Sequence, residues 1–273
     1  MAGHPFDEAI RLEADTARPG AVWHGATHEA YWNMVGPFGG TTAAVVLQGV
    51  WGHPERNGTP ISLTLTYAAP FQEGAFEVHT QLVSATRSTQ HWSVQCVQQG
   101  KAIVNAIALF AVRRETWAAV ETCMPVVPPA AQIAVLDATR TRVAWVQRYE
   151  FRPLRGGFDR MADLEPQADS ITEQWVRDQP ARALDYPALA SLCDVFFPRL
   201  YLRRGKVIPA GTVSLNIYFH ADEPALAATG SEPVLGVARA GNFAGGFFDQ
   251  FAQIWRADGV LLASTQQMVW YKA

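Results

Sequence analysis

The spacing of apolar side chains divides this chain into two runs, each a helix followed by strand-like segments. Thr41 to Trp51 (T-T-A-A-V-V-L-Q-G-V-W) carries no charge and predicts a helix buried on most sides, with Thr41 or Thr42 as its cap. Pro60 to Tyr67, Ala75 to Ser84, His91 to Gln98 and Ala102 to Val112 then alternate polar with apolar or β-branched residues at period two. Short turn sequences separate them, so a helix followed by an antiparallel meander is expected. Upstream, the aromatic-rich stretch Ala21 to Trp32 predicts an edge strand, and residues 1–20 force little structure. In the second run Val143 to Arg152 and Ser170 to Arg177 read as strands, and Tyr186 to Leu200 (Y-P-A-L-A-S-L-C-D-V-F-F-P-R-L) as a short, nearly all-apolar helix. Thr212 to His220, Val234 to Asn242, Phe247 to Trp255 and Val260 to Tyr271 complete the strands.

The two runs can be laid on each other. I-S-L-T-L-T-Y from Ile61 matches V-S-L-N-I-Y-F from Val213, and the turn glycine Gly100 matches Gly259. Such a repeat predicts two copies of one unit packed into a single body, because neither copy buries its apolar face alone. The expected division is a first repeat over 1–113, a proline-rich surface linker over 114–140 and a second repeat over 141–273.

Composition narrows the function. Of 273 residues 49% are apolar and only 17% charged, which is ample for a large core. The formal net charge of -3 and the lack of any Lys/Arg cluster argue against nucleic acid or a membrane surface as partner. No stretch reaches the roughly 18 apolar residues of a membrane span, and the opening residues do not read as a signal peptide. A cytoplasmic protein acting on a small molecule is expected, with self-association into a homo-oligomer left open. Cys96, Cys123 and Cys193 are widely spaced and predict free thiols rather than disulfides or a zinc knuckle. His24 and His28 stand four apart, but Gly25 and the strand-like context argue against a helical zinc pair.

Candidate chemistry comes from comparing the halves. The first helix has no acid, whereas the second carries Asp194, a lone carboxylate in an apolar helix. Such a group is hydrogen-bonded, neutralised or functional, unless it lies solvated on the helix rim. Eight residues past the turn glycine the first half has Ala108 and the second Gln267; where the first has Pro60 the second has Thr212. Period two places Thr212, Ser214 and Asn216 on one strand face, and Thr265 and Gln267 on one face of another with Gln266 opposite. A one-residue slip in register would exchange Gln267 for Gln266. An acid facing a hydroxyl and an amide suits the holding and deprotonation of one water. Gly39 and Gly40, just before the first helix, offer amides that can bind a polarised carbonyl oxygen.

With these residues in view, the chain resembles the acyl-CoA thioesterase II family from about Trp23 to Tyr271. G-P-F-G-G with its helix, R-S-T-Q-H-W-S-V-Q-C-V-Q-Q-G-K, L-A-S-L-C-D, G-T-V-S-L-N-I-Y-F-H and D-G-V-L-L-A-S-T-Q-Q are similar to that family's recurring blocks. The resemblance implies an α+β double hotdog: two tandem repeats, each a central helix wrapped by a curved antiparallel β-sheet, with the sheets joined side by side. It implies hydrolysis of acyl-CoA to a carboxylic acid and free CoA without metal or organic cofactor, as a part of lipid metabolism. The family's water-activating trio falls on Asp194, Thr212 and Gln267, with Gly39, Gly40 and Ser214 as expected substrate contacts. Two alternatives stand beside this: a hotdog protein that binds acyl-CoA or lipid without turnover, and a hydratase or dehydratase. The latter resemble enzymes with His five residues from an acid, and no Asp here has such a His. No G-x-S-x-G occurs to support a serine hydrolase.

Overall fold

A computed structural model describes residues 3–157, 159 and 164–272. In the first half α1 (Pro5–Ala9), β1 (Glu13–Ala14) and β2 (Val22–Ala26) precede the long helix α2 (Gly39–Trp51), which is followed by β3 (Thr59–Tyr67), β4 (Ala75–Ala85), β5 (Thr89–Gln98) and β6 (Lys101–Ala111). The second half runs β7 (Tyr149–Arg155), β8 (Thr172–Asp178), α3 (Tyr186–Leu192), α4 (Arg199–Arg204), β9 (Ala210–Phe219), α5 (Glu223–Thr229), β10 (Val234–Arg239), β11 (Phe243–Ala244), β12 (Phe247–Trp255) and β13 (Leu261–Tyr271).

The strands form one antiparallel sheet in the order β1-β2-β4-β5-β6-β3-β9-β13-β12-β10-β8-β7, with β11 on β12. Read outward from the β3–β9 seam, each side gives the same sequence of equivalents. The seam pairs Ser62 with Tyr218, Thr64 with Asn216 and Thr66 with Ser214. The sequence match places residue 64 on 216, so a pseudo-two-fold axis passes through the Thr64–Asn216 pair. Matched segments are thus also paired segments, and the repeat read from sequence fixes the seam's register. Leu63, Leu65, Leu215 and Ile217 point inward from these strands and are fully buried beneath α2 and α3. This is the expected double hotdog.

Several boundaries differ from expectation. The segment over Val143 to Arg152 begins as a 3-10 turn, Ala144–Arg148, before β7. That turn stacks Trp145 on Phe38 with centroids 4.0 Å apart. The edge strand near Trp23 ends at Ala26 and gives way to a 3-10 turn at Glu29–Tyr31. Residues 1–20 contain a helix that starts on Pro5 and is capped by the His4 ring. Short helix α5 was not foreseen; Asp222 caps it and Pro follows in the first turn. Residues 112–143 hold no α-helix or strand, yet are pinned to the second half: Trp175 donates to the Pro128 carbonyl at 2.9 Å and Arg152 to those of Ala130 and Ile133. Among the described residues, no helix is long and apolar enough to cross a membrane.

The helix expected over Tyr186 to Leu200 stops at Leu192. Asp185 caps its start, and the Asp194 amide turns back to the Ser191 carbonyl at 3.1 Å. Pro198 disfavours helix at the residue before it, so the chain restarts as α4 only from Arg199. Asp194 therefore sits in a tight turn rather than within a helix.

Candidate active site

That turn brings the Asp194 side chain against the N-terminus of α2. Phe38, in the N-cap position there, makes no side-chain bond to the helix. Thr42 does not cap it either, since its hydroxyl donates back to the Phe38 carbonyl at 3.2 Å. The amide end of the helix faces the acid, and the Gly40 N–H favours the charged form of the Asp194 carboxylate. Gly39 and Gly40 allow this approach sterically. A Cβ on Gly39 would lie 2.7 Å from Asp194 Oδ2, and one on Gly40 would lie 2.5 Å from the Ser191 carbonyl oxygen.

Two strands of the second half supply the rest. Gln267 Nε2 donates to Asp194 Oδ1 at 2.7 Å, and Thr212 Oγ1 donates to Gln267 Oε1 at 3.3 Å. The hydroxyl thus fixes which end of the amide faces the acid. Thr212 reaches this face because of a bulge. Met268 pairs with Ser214 but Val269 pairs with Thr212, leaving Val213 as the extra residue. The common face expected for Thr212, Ser214 and Asn216 is therefore broken. Thr212 turns in, while Ser214 and Asn216 point to the outer face, and Ser214 is not among the cavity-lining residues. Gln266 is exposed on that outer face as well, so Gln267 alone of the pair faces inward.

Asp194 is 9% exposed and Gln267 3%. Burial pushes the Asp194 carboxyl up to about 7, against the opposing pull of the Gln267 and Gly40 hydrogen bonds. An acid titrating there exchanges protons readily at neutral pH. Asp194, Thr212, Gln267 and Gly39 all line one cavity of about 960 Å³ between the halves. Its other walls are largely apolar, among them Phe38, Phe71, Trp145, Phe196 and Phe197, and among the described residues that line it there is no histidine.

The family of acyl-CoA thioesterase C-terminal domains matches residues 121–271, and that of the N-terminal domains matches residues 28–111. The chain belongs to the acyl-CoA thioesterase family. A hot dog fold protein of unknown function from Alicyclobacillus acidocaldarius is 42% identical, covering 100% of this chain and 99% of its own, with a TM-score of 0.93. A thioesterase II candidate from Thermobifida fusca shares 17% identity over 100% and 99%, TM-score 0.84. An acyl-CoA thioesterase II from Mycobacterium marinum shares 18% over 98% and 96%, TM-score 0.75. The comparison with curated proteins gives no match.

In this acyl-CoA thioesterase-family chain the half-against-half comparison has a structural basis. Ala108 stands opposite Leu63 and Gln267 opposite Leu215, and Leu63 and Leu215 are themselves matched across the axis. Pro60 and Thr212 each adjoin a bulge at equivalent places in β3 and β9. Tyr67 was missed by sequence reasoning. It lines the cavity, and its hydroxyl donates to the Gly39 carbonyl at 2.9 Å, fixing the start of α2 beside Asp194. Its match, Phe219, lacks that hydroxyl, which is the signal that would have found it. His24 and His28 serve separate acids, Asp15 at 3.0 Å and Glu8 at 3.9 Å.

Proposed function

We propose that this protein hydrolyses an acyl-CoA thioester to a carboxylic acid and free CoA, using a water held at Asp194. The observation that carries the reading is the continuous chain from Thr212 through Gln267 to Asp194 on the wall of an apolar cavity. The acyl group occupies the apolar cavity with its carbonyl carbon beside the carboxylate. Asp194 takes a proton from the water, whose oxygen attacks that carbon. The C–S bond then breaks, and the departing thiolate of CoA receives the proton from Asp194. Gln267 holds the acid with one N–H and has a second for the water, while Thr212 keeps the amide from turning over. Negative charge developing on the carbonyl oxygen is favoured near the positive end of α2. We place this reaction in the cytoplasm, within lipid metabolism.

A hydratase or dehydratase is disfavoured by the absence of histidine among the described cavity residues. Release of free thiol from acyl-CoAs of graded chain length tests the proposal. Turnover at some chain length by the native protein is expected. Tight binding without thiol release at every length would replace this reading with that of an acyl-CoA or lipid binder.

A further inference from the structure

We propose that Gln250 is a substrate-contacting residue of this site, its side-chain amide donating a hydrogen bond to the carbonyl oxygen of the thioester. The inference rests on the thioesterase reading and extends its machinery to a residue on the neighbouring strand. Gln250 stands directly opposite Gln267 in the β12–β13 ladder, so the two side chains leave the sheet on one face, with Cβ atoms roughly 5 Å apart. It lines the cavity, it is 2% exposed, and its Nε2 has no hydrogen-bond partner among the described residues.

A buried amide donor left unmet is costly, and it persists in a cavity wall where a bound group can satisfy it. Its neighbours are already engaged. The Gln267 amide bonds Asp194 and Thr212 and keeps its second N–H for the water, and the Gly40 N–H faces the Asp194 carboxylate. Gln250 is thus a side-chain donor in the cavity wall, opposite Gln267, that the water-activating chain does not use. The acceptor that must come there in an acyl thioester is its carbonyl oxygen, which gains negative charge as water adds.

The first half provides an internal control. Trp92 pairs with Ala108 as Gln250 pairs with Gln267, so Trp92 is its pseudo-symmetric counterpart. Trp92 is fully buried and packs against the His53 ring at 4.5 Å, filling the space that stays open in the second half. The half without the acid also lacks this amide and carries an indole in its place.

The test compares the full chain with Gln250→Met, which keeps the side-chain length and removes the donor. Two CoA conjugates that cannot be hydrolysed serve as probes: S-(2-oxooctyl)-CoA, which carries a ketone oxygen near the sulfur, and S-octyl-CoA, which does not. The substitution is expected to weaken the ketone conjugate about tenfold and to leave the octyl conjugate within about twofold. In turnover, kcat falls about tenfold and KM rises by up to about tenfold, so kcat/KM falls about 100-fold. Equal weakening of both conjugates, with a lowered Tm, would mark Gln250 as packing and overturn the proposal, as would an unchanged ketone affinity. Failure of the native protein to release thiol sinks the hydrolase reading but leaves the conjugate comparison to decide Gln250. Normal turnover by Gln250→Met where Asp194→Asn is inactive overturns only the role of Gln250.

Discussion

His53 stands in the first half where Asp194 stands in the second. Each is the second residue beyond a helix, α2 or α3, and each amide bonds back three residues, His53 to Val50 at 3.0 Å and Asp194 to Ser191 at 3.1 Å. Around them the strands give Pro60, Trp92 and Ala108 on one side and Thr212, Gln250 and Gln267 on the other. One architecture thus holds a closed, apolar version of the site and an open, polar one. The open version still needs the first half, because Gly39, Gly40 and Tyr67 complete it across the axis.

Replacing Asp194 by Asn removes the base and little else. Turnover should fall by at least about 100-fold while stability changes by less than about 2 kcal/mol, since Asn can still accept from Gln267. Gln267→Ala should cost less, because Gln267 orients and takes no proton. Steady-state thiol release together with urea unfolding reads both, and an unchanged rate for Asp194→Asn would remove Asp194 from the mechanism.

The pH profile follows from the same carboxyl. Asp194 acts as a base only when ionised, and burial holds its pKa at about 7. The rate should therefore rise about tenfold per pH unit below that point and level off above it. Measuring kcat/KM from pH 5 to 9 checks this. A profile flat down to pH 5 would mean that the base titrates far lower or lies elsewhere.

Gly39 and Gly40 should fail in different ways. A methyl at residue 39 meets Asp194 Oδ2 at 2.7 Å, an atom of the reacting group, whereas one at residue 40 meets the Ser191 carbonyl at 2.5 Å, part of the backbone. Gly39→Ala should lower kcat at least about tenfold with a modest change in Tm, because a small displacement of a positioned base is costly. Gly40→Ala should destabilise by about 1–3 kcal/mol through the separation it forces between α2 and α3. The comparison of kcat and Tm for the two variants decides it.

Much of this was legible in the sequence for a physical reason: matching Ile61 to Val213 gave the equivalent positions of the two copies, and because the structure pairs β3 with β9 across an axis, the same matching also gives the register of their seam. The trio came from the same matching. What was illegible depends on backbone irregularity and distant packing. The bulge at Val213 leaves no trace in a polar–apolar alternation, so Ser214 was expected beside Thr212 and faces away from it instead. The end of α3 is set by a turn whose carboxylate meets Gln267 on β13 and the start of α2, both distant in sequence. Gln250 lay one strand beyond the positions compared, although its contrast with Trp92 is as sharp as that between Gln267 and Ala108.

A second buried acid makes a prediction about stability alone. Asp178, at the end of β8, is 4% exposed, and its Oδ1 has no hydrogen-bond partner among the described residues. Burial is the main cause that pushes its pKa up from 3.8 to about 7; Arg182 opposes the shift, and Asp185 and Asp7 add to it. The folded protein keeps this carboxyl neutral up to about pH 7, while the unfolded chain ionises it from about pH 4. Its contribution is therefore full below pH 4, declines as pH rises toward 7 and is constant above. Asp194 contributes with the same sign. Asp178→Asn should remove part of the decline, by between about 1 and 3 kcal/mol in the difference between pH 5 and pH 8. Urea midpoints at those two pH values measure it, and thiol release should be unaffected because Asp178 does not line the cavity. A variant whose stability falls between pH 5 and pH 8 as steeply as the native protein's would show that Asp178 is ionised in the fold.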